Sequence, residues 1–585
     1  MKRKTLLTIT LLLSGLSYVQ AQGPKFKWVK GIGGEWIDKM KDLATDNSGN
    51  VYAVGSFASD NVSFYPSTPA WTFPRSGSTG AGTGGTYDMF LMKMDITGKV
   101  LWGAALGNTT EDEALAVTVD PSGDVLVSGL FSGTVDFDFG VGKTELKAAG
   151  TTDMFIAKYN STGALVWVKK IGAVGSTKGY AIKTDKAGNI YAAGTTDSSA
   201  DVDPGAPVVT VTSLASAMAG MQDIFLVKLG SDGSFRWVKT CSGPYHEQNP
   251  RLAINDKDEI FLGGNYQTSV TCGVGAGSVN LTSESTSGAD FFISKFDATG
   301  KMLWAKTQGK SMYSVLSNIA ADHAGNVYVN GEFNFTADMD PGPAVHDLVS
   351  KGISDGFILK LDGAGNYLWA SGIGGTGYDR GGGVNVDMED SLYITGTFNG
   401  TIDMDPGTAV HDITSNGGSD VYITKWDKNG NYIWAKNVGN PFEEDPGNVV
   451  VDKFNNVYTF GLFTGTADFD PEATVYNLVN KGRNDGFVHM MAQKSPVVTT
   501  GTSILAGARA FEIYPNPALD HIYVRNSQQE QLQIGIYNAT GARIYQHSGN
   551  DIQTMINLSA QPAGLYIVTI SSGDQPLYTQ KIMKQ

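Results

Sequence analysis

The chain has 585 residues, enough for several ordinary domains or one large repeat domain with a sizeable core. Glycine is abundant at 73 residues, aromatics make up 10% and charged residues only 17%, which suits many short strands and tight turns and not long helices. A net charge of −15 and a pI near 4.9 argue against binding to nucleic-acid backbones or to anionic membrane surfaces, and are compatible with cation binding.

Residues 1–21 read as a signal peptide. Lys2-Arg3-Lys4 is a basic start, Leu6 to Val19 an apolar run, and Val19-Gln20-Ala21 a small-residue cleavage site. The apolar run is short for a bilayer span, and no later transmembrane segment is visible.

The mature chain opens with an isolated strand, Phe26-Lys27-Trp28-Val29-Lys30. Two signatures then recur in step. One is Asp-x-x-Gly-Asn-Val-Tyr-x-x-Gly, starting at Asp46, Asp120, Asp185, Asp256, Asp322, Asp387 and Asp452, with spacings of 74, 65, 71, 66, 65 and 65 residues. The other is a hairpin of which Asp355 to Trp369, DGFILKLDGAGNYLW, is a clear copy. Phe357, Leu359 and Leu361 alternate with Ile358 and Lys360, and Asp362-Gly363-Ala364-Gly365 is turn chemistry. Its other starts are Asp88, Asp153, Asp223, Asp290 and Asp420. A seventh begins at Asp485 and lacks the Gly and Trp return.

This punctuation predicts one four-stranded sheet per repeat and a propeller, not a helical solenoid. Each unit reads as a strand before the Asp46-type position, a Val-Tyr strand, a strand near an Asp-x-Asp segment, and the Asp-x-Phe strand with its Trp return. The seventh unit lacks a Trp strand and the N-terminus has a spare one. The expected fold is therefore an all-β, seven-bladed propeller over residues 22–492, closed by the N-terminal strand, which removes both free sheet edges.

The motif Gly325 to Gly331 and the segment Asp355 to Lys360 resemble the SBBP-type β-propeller repeats of exported bacterial proteins, over about residues 25 to 492. That resemblance speaks to fold and little to activity. The element Asp297, Gly300, Trp304 is similar to the tryptophan-docking motif of quinoprotein dehydrogenases, with one residue fewer between Asp and Gly. It reads as a packing solution, with Trp stacked between adjacent sheets, and not as a cofactor signal.

Two cysteines are present, Cys241 and Cys272. An exported pair can form a disulfide. Cys241, however, stands four residues after Trp237, where other copies place Ile32 and Ile171, and this core position favours buried free thiols.

Five aspartate pairs share one repeat position: Asp136 and Asp138, Asp201 and Asp203, Asp338 and Asp340, Asp403 and Asp405, Asp468 and Asp470. Residues i and i+2 share a strand face, so each pair offers two hard oxygen ligands to calcium. The Asp-Pro-Gly that follows three of them is also good turn chemistry, so a structural turn is the competing reading. His346 and His411 recur at one repeat position, which suits a surface hairpin better than catalysis.

The loops after each Trp strand differ most between copies. They offer Trp36, Tyr245, His246, Tyr378, Asp379, Arg380, Glu443 and Glu444 as ligand-binding candidates on one face, around a channel mouth. No serine-hydrolase elbow, zinc-protease helix or phosphate loop is visible, and the arginines are scattered. A surface or secreted binding protein with a glycan or protein ligand is the first expectation. A glycan-active hydrolase or lyase using loop carboxylates is the second.

Residues 493–510 have linker composition, and 511–585 hold about six short strands, which predicts a small Ig-like β-sandwich. Tyr514-Pro515-Asn516-Pro517, Gly564-Leu565-Tyr566 and Lys581-Ile582-Met583-Lys584 closely resemble the type A C-terminal sorting domain of the type IX secretion system. That resemblance implies export through the periplasm to the surface or medium, with the type IX machinery as partner.

Overall fold

The computed structural model describes residues 23–493 and 511–584, less the stretches 68–70, 77–85, 206, 215–220, 274, 276, 284–287, 309–310, 440–444, 473, 516–517, 519, 527–530, 539–542, 552, 563 and 573–574. Residues 1–22 and 494–510, which hold the predicted signal peptide and linker, lie outside the described residues. The chain divides into two compact units, residues 1–496 and 497–585. All regular structure among the described residues is β, and every strand ladder is antiparallel.

The larger unit repeats one four-stranded meander. Sheet 1 is Asp38–Thr45, Val51–Phe57, Asp88–Met94 and Val100–Leu106. The next five have first strands Glu113–Val119, Thr177–Thr184, Gln248–Ile254, Ser314–Ala321 and Arg380–Val386. Sheet 7 takes three strands, Asp445–Val451, Asn456–Phe463 and Asp485–Ala492, from the end of the unit. Its fourth is Lys25–Gly33 from the N-terminus, with Trp28 opposite Met490 and Gly31 opposite Phe487.

The second and third strands carry the core. Val51–Phe57 and Asp88–Met94 are buried at every residue, and so are Leu392–Phe398 and Asp420–Trp426. Burial of both faces follows from stacking a sheet on each side, and it explains near-continuous apolar runs in place of alternation. The first strands neighbour one another in chain order, and that of sheet 7 lies beside that of sheet 1.

Each Trp strand docks on the following sheet. Trp28, Trp102, Trp237 and Trp304 donate their indole N–H to Ile96 O, Ser161 O, Ala298 O and Gly363 O at 3.0, 3.2, 3.4 and 3.1 Å. The ring lies against the turn glycine of that sheet. At Gly98, φ is +77° and an added Cβ would stand 2.7 Å from the Trp28 ring, so the turn needs glycine on both counts. Lysines of the third strands make the same joint: Lys93 and Lys295 donate to Ser161 O and Gly363 O. At sheet 7 the side-chain carbonyl of Gln493 accepts from Lys425 and Tyr393.

Two expectations are corrected. The Asp-x-Asp segments are not among the four core strands of a sheet. They form a separate hairpin between the second and third strands, such as Thr401–Asp403 with Asp412–Thr414. Of the hairpins at this repeat position, Asn61–Tyr65, Ser199–Asp201 and Ser269–Cys272 pair with the Trp strand of the preceding sheet, and of these three Ser199–Asp201 alone belongs to an aspartate pair; the pattern of one repeat cannot report a partner in another.

The cysteines are not free thiols. Cys241, on the Trp strand of sheet 3, is disulfide-bonded to Cys272 on the hairpin inserted in sheet 4, and both are fully buried. They face each other in register just as Ile32 faces Phe64 between sheets 7 and 1. A core position was the right reading, and the disulfide is the core contact.

The smaller unit has a sheet of Phe511–Tyr514, His521–Asn526 and Gln553–Asn557, and a second of Arg543–Gly549, Leu532–Asn538, Gly564–Ser572 and Gln575–Lys584. Ile522, Val524, Ile536, Val568, Ile570 and Ile582 meet in one core between them.

Candidate functional site

The first strands of the seven sheets converge on a cavity of about 840 Å³. Their side chains alternate between the sheet core and this cavity. In sheet 1, Met40 and Leu43 are buried in the core, while Lys41 and Asp42 line the cavity. A bulge in every first strand, such as the register shift between Met40 and Asp42, produces that sequence of two adjacent lining residues.

Asp42 takes N–H groups from Leu43 and from Val117 of the next sheet, both at 2.9 Å. Burial pushes its carboxyl above the usual range, opposed by Lys183 and then by these hydrogen bonds. Arg251 donates from Nε to Ser317 O at 2.8 Å and from Nη1 to Pro250 O at 3.3 Å, which pins its guanidinium between sheets 4 and 5. At another part of the wall, Tyr313 and Tyr378 both donate to Glu332, at 3.2 and 3.3 Å. Arg380, beside them, donates from Nε to Thr397 Oγ1 at 3.1 Å. Lys41 pairs with Glu113 at 3.3 Å.

Of the loop residues singled out from sequence, the structure brings Tyr378 and Arg380 to this wall. Tyr378 is 43% exposed, so its ring is open to a ligand. Trp36 stands at the junction of sheets 7 and 1, with the Arg483 guanidinium 4.9 Å from its ring. Tyr245 and His246 stand at the junction of sheets 3 and 4, half-buried, with His246 Nδ1 lacking a partner among the described residues. Glu443 and Glu444 lie outside the described residues.

Asp379 is fully buried and its carboxylate accepts from Gly375 N and Asn399 N, at 2.7 and 2.8 Å. Burial pushes its carboxyl up and these two N–H groups pull it back. Asp38 and Asp112 occupy the same repeat position and serve the same kind of backbone groups, Ala58 N and Ser59 N, and Asn108 N and Ser132 N. Glu247 does so through Gly243 N. Burial and a hydrogen bond to Asp223 hold its carboxyl far above the ordinary value. These carboxylates build the loops from within.

The paired aspartates are similarly engaged. Asp403 Oδ1 accepts from Asp405 N and His411 N, and Asp405 Oδ1 accepts from Gly407 N. Asp136 and Asp138, Asp201 and Asp203, and Asp338 and Asp340 repeat that pattern. Asp468 and Asp470 do so with Glu472 N in place of the glycine N–H. The residue between each pair, such as Met404 or Phe469, is buried. Among the described residues no group of three or more His, Cys, Asp or Glu side chains converges as a metal shell. His346 and His411 stack on Tyr367 and Tyr432, with ring centroids 4.1 and 4.4 Å apart.

Sequence reasoning missed Lys41, Asp42, Tyr180, Lys183, Arg251 and Glu332. A signal was available. Residues two to five places before the Asp-x-x-Gly aspartate vary in charge between copies, from Lys183 to Ala320, while the intervening core positions stay apolar.

Comparison with known proteins supplies the family evidence. Residues 512–585 match the secretion system C-terminal sorting domain, and residues 166–199 match the β-propeller repeat. An uncharacterized WD repeat-containing protein of Acanthamoeba polyphaga mimivirus is 24% identical over 423 residues, 64% of this chain and 30% of that protein. The regulatory protein FlaEY of Caulobacter vibrioides is 25% identical over 150 residues, 26% of this chain and 15% of that protein. The chain thus spans less than a third of the length of the curated relatives it matches. PorZ, a surface component of the type IX secretion system of Porphyromonas gingivalis, aligns with 94% of this chain and 99% of its own, at 12% identity and a TM-score of 0.17. A fungal alcohol oxidase in complex with copper aligns with 96% of this chain and 99% of its own, at 11% identity and a TM-score of 0.35. Scores this low carry no functional argument. The chain combines SBBP-type β-propeller repeats with a type IX sorting domain, which indicates export to the cell surface or the extracellular space.

Proposed function

We propose that the chain is an exported, non-enzymatic binding protein on a seven-bladed β-propeller. In this reading residues 1–21 are a signal peptide, 22–492 the propeller, 493–510 a linker and 511–585 the sorting domain. The N-terminal strand Lys25–Gly33 closes the ring as the fourth strand of blade seven. The pairing of Trp28 with Met490 supports closure, as does the indole hydrogen bond of Trp28 to blade one. The type IX machinery is the export partner, and the product stays on the surface or is released.

One observation carries the binding reading. The first strands of all seven sheets surround a polar cavity whose rim carries the copy-specific Tyr378 and Arg380, while the repeated carboxylates are already occupied with backbone N–H groups. Trp36, Tyr245, His246, Tyr378 and Arg380, with Glu443 and Glu444, are the recognition residues; Asp379 shapes their loop. Calcium at the five aspartate pairs is a secondary proposal, supported by the two carboxylates each turn brings together, although Asp470 Oδ2 accepts from Thr474 Oγ1 and Asp340 Oδ2 and Asp405 Oδ2 face His346 and His411 at 3.7 and 3.8 Å.

The rival is a glycan hydrolase or lyase, for which Glu332 between Tyr313 and Tyr378 is the best-placed carboxylate. The test is a glycan and envelope-protein binding panel on the mature full chain, with product analysis. Binding without product, weakened by Tyr378→Ala, is expected. Turnover lost in Glu332→Gln would replace this reading with the enzyme, and no binding at all would remove it.

A further inference from the structure

The whole chain is acidic, yet the cavity is not. Its lining holds four cations, Lys41, Lys183, Arg251 and Arg380, against two anions, Asp42 and Glu332; with Lys41 paired to Glu113 behind the wall, one cation remains in excess. Among the described residues Lys183, exposed to the cavity, makes no ion pair within 4.0 Å, and Arg251 donates to backbone carbonyls; the Asp42 carboxylate is the anion that both charges act on. A cationic wall inside a protein of net charge −15 concentrates anions where the rest of the surface repels them.

The cations are also spread in depth. Counting back from the turn residue that ends each first strand, which in the fourth copy is Asn255 and not the expected Asp256, Arg380 stands seven places before Asp387, Lys41 five before Asp46, Arg251 four before Asn255 and Lys183 two before Asp185. Five residues of strand correspond to roughly 16 Å. A ladder of that length matches an oligomer with charge on successive units better than one small ion.

The rest of the lining narrows the chemistry. Tyr180 and Tyr313 line it, as do Gln248, Asn249, Asn318 and Asn385, whose side-chain amides carry both donors and acceptors; Asn318 Oδ1 already accepts from Ile319 N. Rings with amides suit pyranose faces and vicinal hydroxyls, and the cations suit carboxylates. We infer that this cavity binds an acidic oligosaccharide, a short chain of uronic acid units, with its carboxylates on Arg251 and Lys183. The inference rests on the binding reading above and names the ligand class.

The test uses the mature full chain and calorimetric titration with trigalacturonate, trimannuronate, a hyaluronan tetrasaccharide, neutral galactotriose and tetraglutamate. At least one uronate is expected to bind ten-fold or more tighter than galactotriose and tetraglutamate, with affinity falling as salt is raised. Lys183→Gln, a change at an exposed side chain, should weaken that uronate at least five-fold with little shift of the melting temperature. Arg251→Gln should weaken it more. No uronate binding, or binding unchanged in Lys183→Gln, overturns the inference. So does preference for tetraglutamate, which would assign the channel to acidic peptides. Binding of a neutral glycan or a protein, retained in both variants, would sink this inference and leave the binding reading standing.

Discussion

The indole of Trp28 donates to the carbonyl oxygen of Ile96 at 3.0 Å, across 68 residues of chain. Trp28 belongs to the N-terminal strand of sheet 7 and Ile96 to the turn between the third and fourth strands of sheet 1. The contact joins the last sheet to the first with the geometry that Trp102 and Trp304 use between consecutive sheets.

Trp28→Ala should therefore destabilise the larger unit by about 3–5 kcal/mol, the cost of emptying a site where Trp28 is only 8% exposed. Urea unfolding of the full chain measures this. An unchanged midpoint would mean that the N-terminal strand does not hold the ring shut.

The disulfide stitches the Trp strand of sheet 3 to the hairpin of sheet 4, closing a loop with a sequence separation of 31. Loop closure of that size stabilises by about 3.7 kcal/mol. The double variant Cys241→Ala, Cys272→Ala, or reduction of the wild type, should lower the melting temperature by a matching amount. Reduction without effect would show that the hydrogen-bonded ladder suffices by itself.

His489 stacks near Phe26 and faces Thr459 Oγ1 at 3.2 Å, with no exposed surface. Burial pulls its imidazole down to about 4. The unfolded chain binds a proton near pH 6.5 and the folded one near 4, so stability is full above pH 6.5 and falls as pH drops between these values. The loss across that window is about 3 kcal/mol. Asp88, Asp420 and Asp485, raised to about 6, and Asp112, raised to about 7, act in the opposite sense. Comparing His489→Leu with wild type cancels them. The variant should gain relative stability from pH 7 to pH 4, and a constant difference would contradict a buried neutral imidazole.

Asp403 holds two backbone N–H groups of its hairpin. Asp403→Ala should cost about 1–2 kcal/mol through those lost acceptors. Adding calcium or EDTA should move the wild-type melting temperature by less than about 1 °C if capping is the whole role. A calcium-dependent rise abolished in Asp403→Ala would establish the ion at these pairs.

The four-strand period was legible because turn glycines and Trp markers are local signals, and the spare strand at Trp28 needed only counting. The Asp-x-Asp segments were misplaced because their short strands pair locally, as Thr401–Asp403 does with Asp412–Thr414, and not with the long strands of the sheet; Cys272 was misread because its partner Cys241 lies one repeat away. Asp379 looked like a loop ligand because it is polar and close to Tyr378. Its oxygens are taken by Gly375 N and Asn399 N, from residues that only the fold brings to it. The cavity residues were overlooked because Lys41, Lys183 and Arg251 come from three sheets, and their shared place, two to five residues before the Asp-x-x-Gly aspartate, carries a different charge in each copy.

The central claim is that a folded propeller is carried out of the cell by its C-terminal domain. The measurement is where the chain is found, with and without residues 511–585, in a bacterium with a type IX secretion system. The full chain should reach the surface or medium, and the truncated chain should remain in the periplasm, protease-resistant and with an intact Cys241–Cys272 bond. Truncated protein on the surface or in the medium at normal yield would contradict the claim.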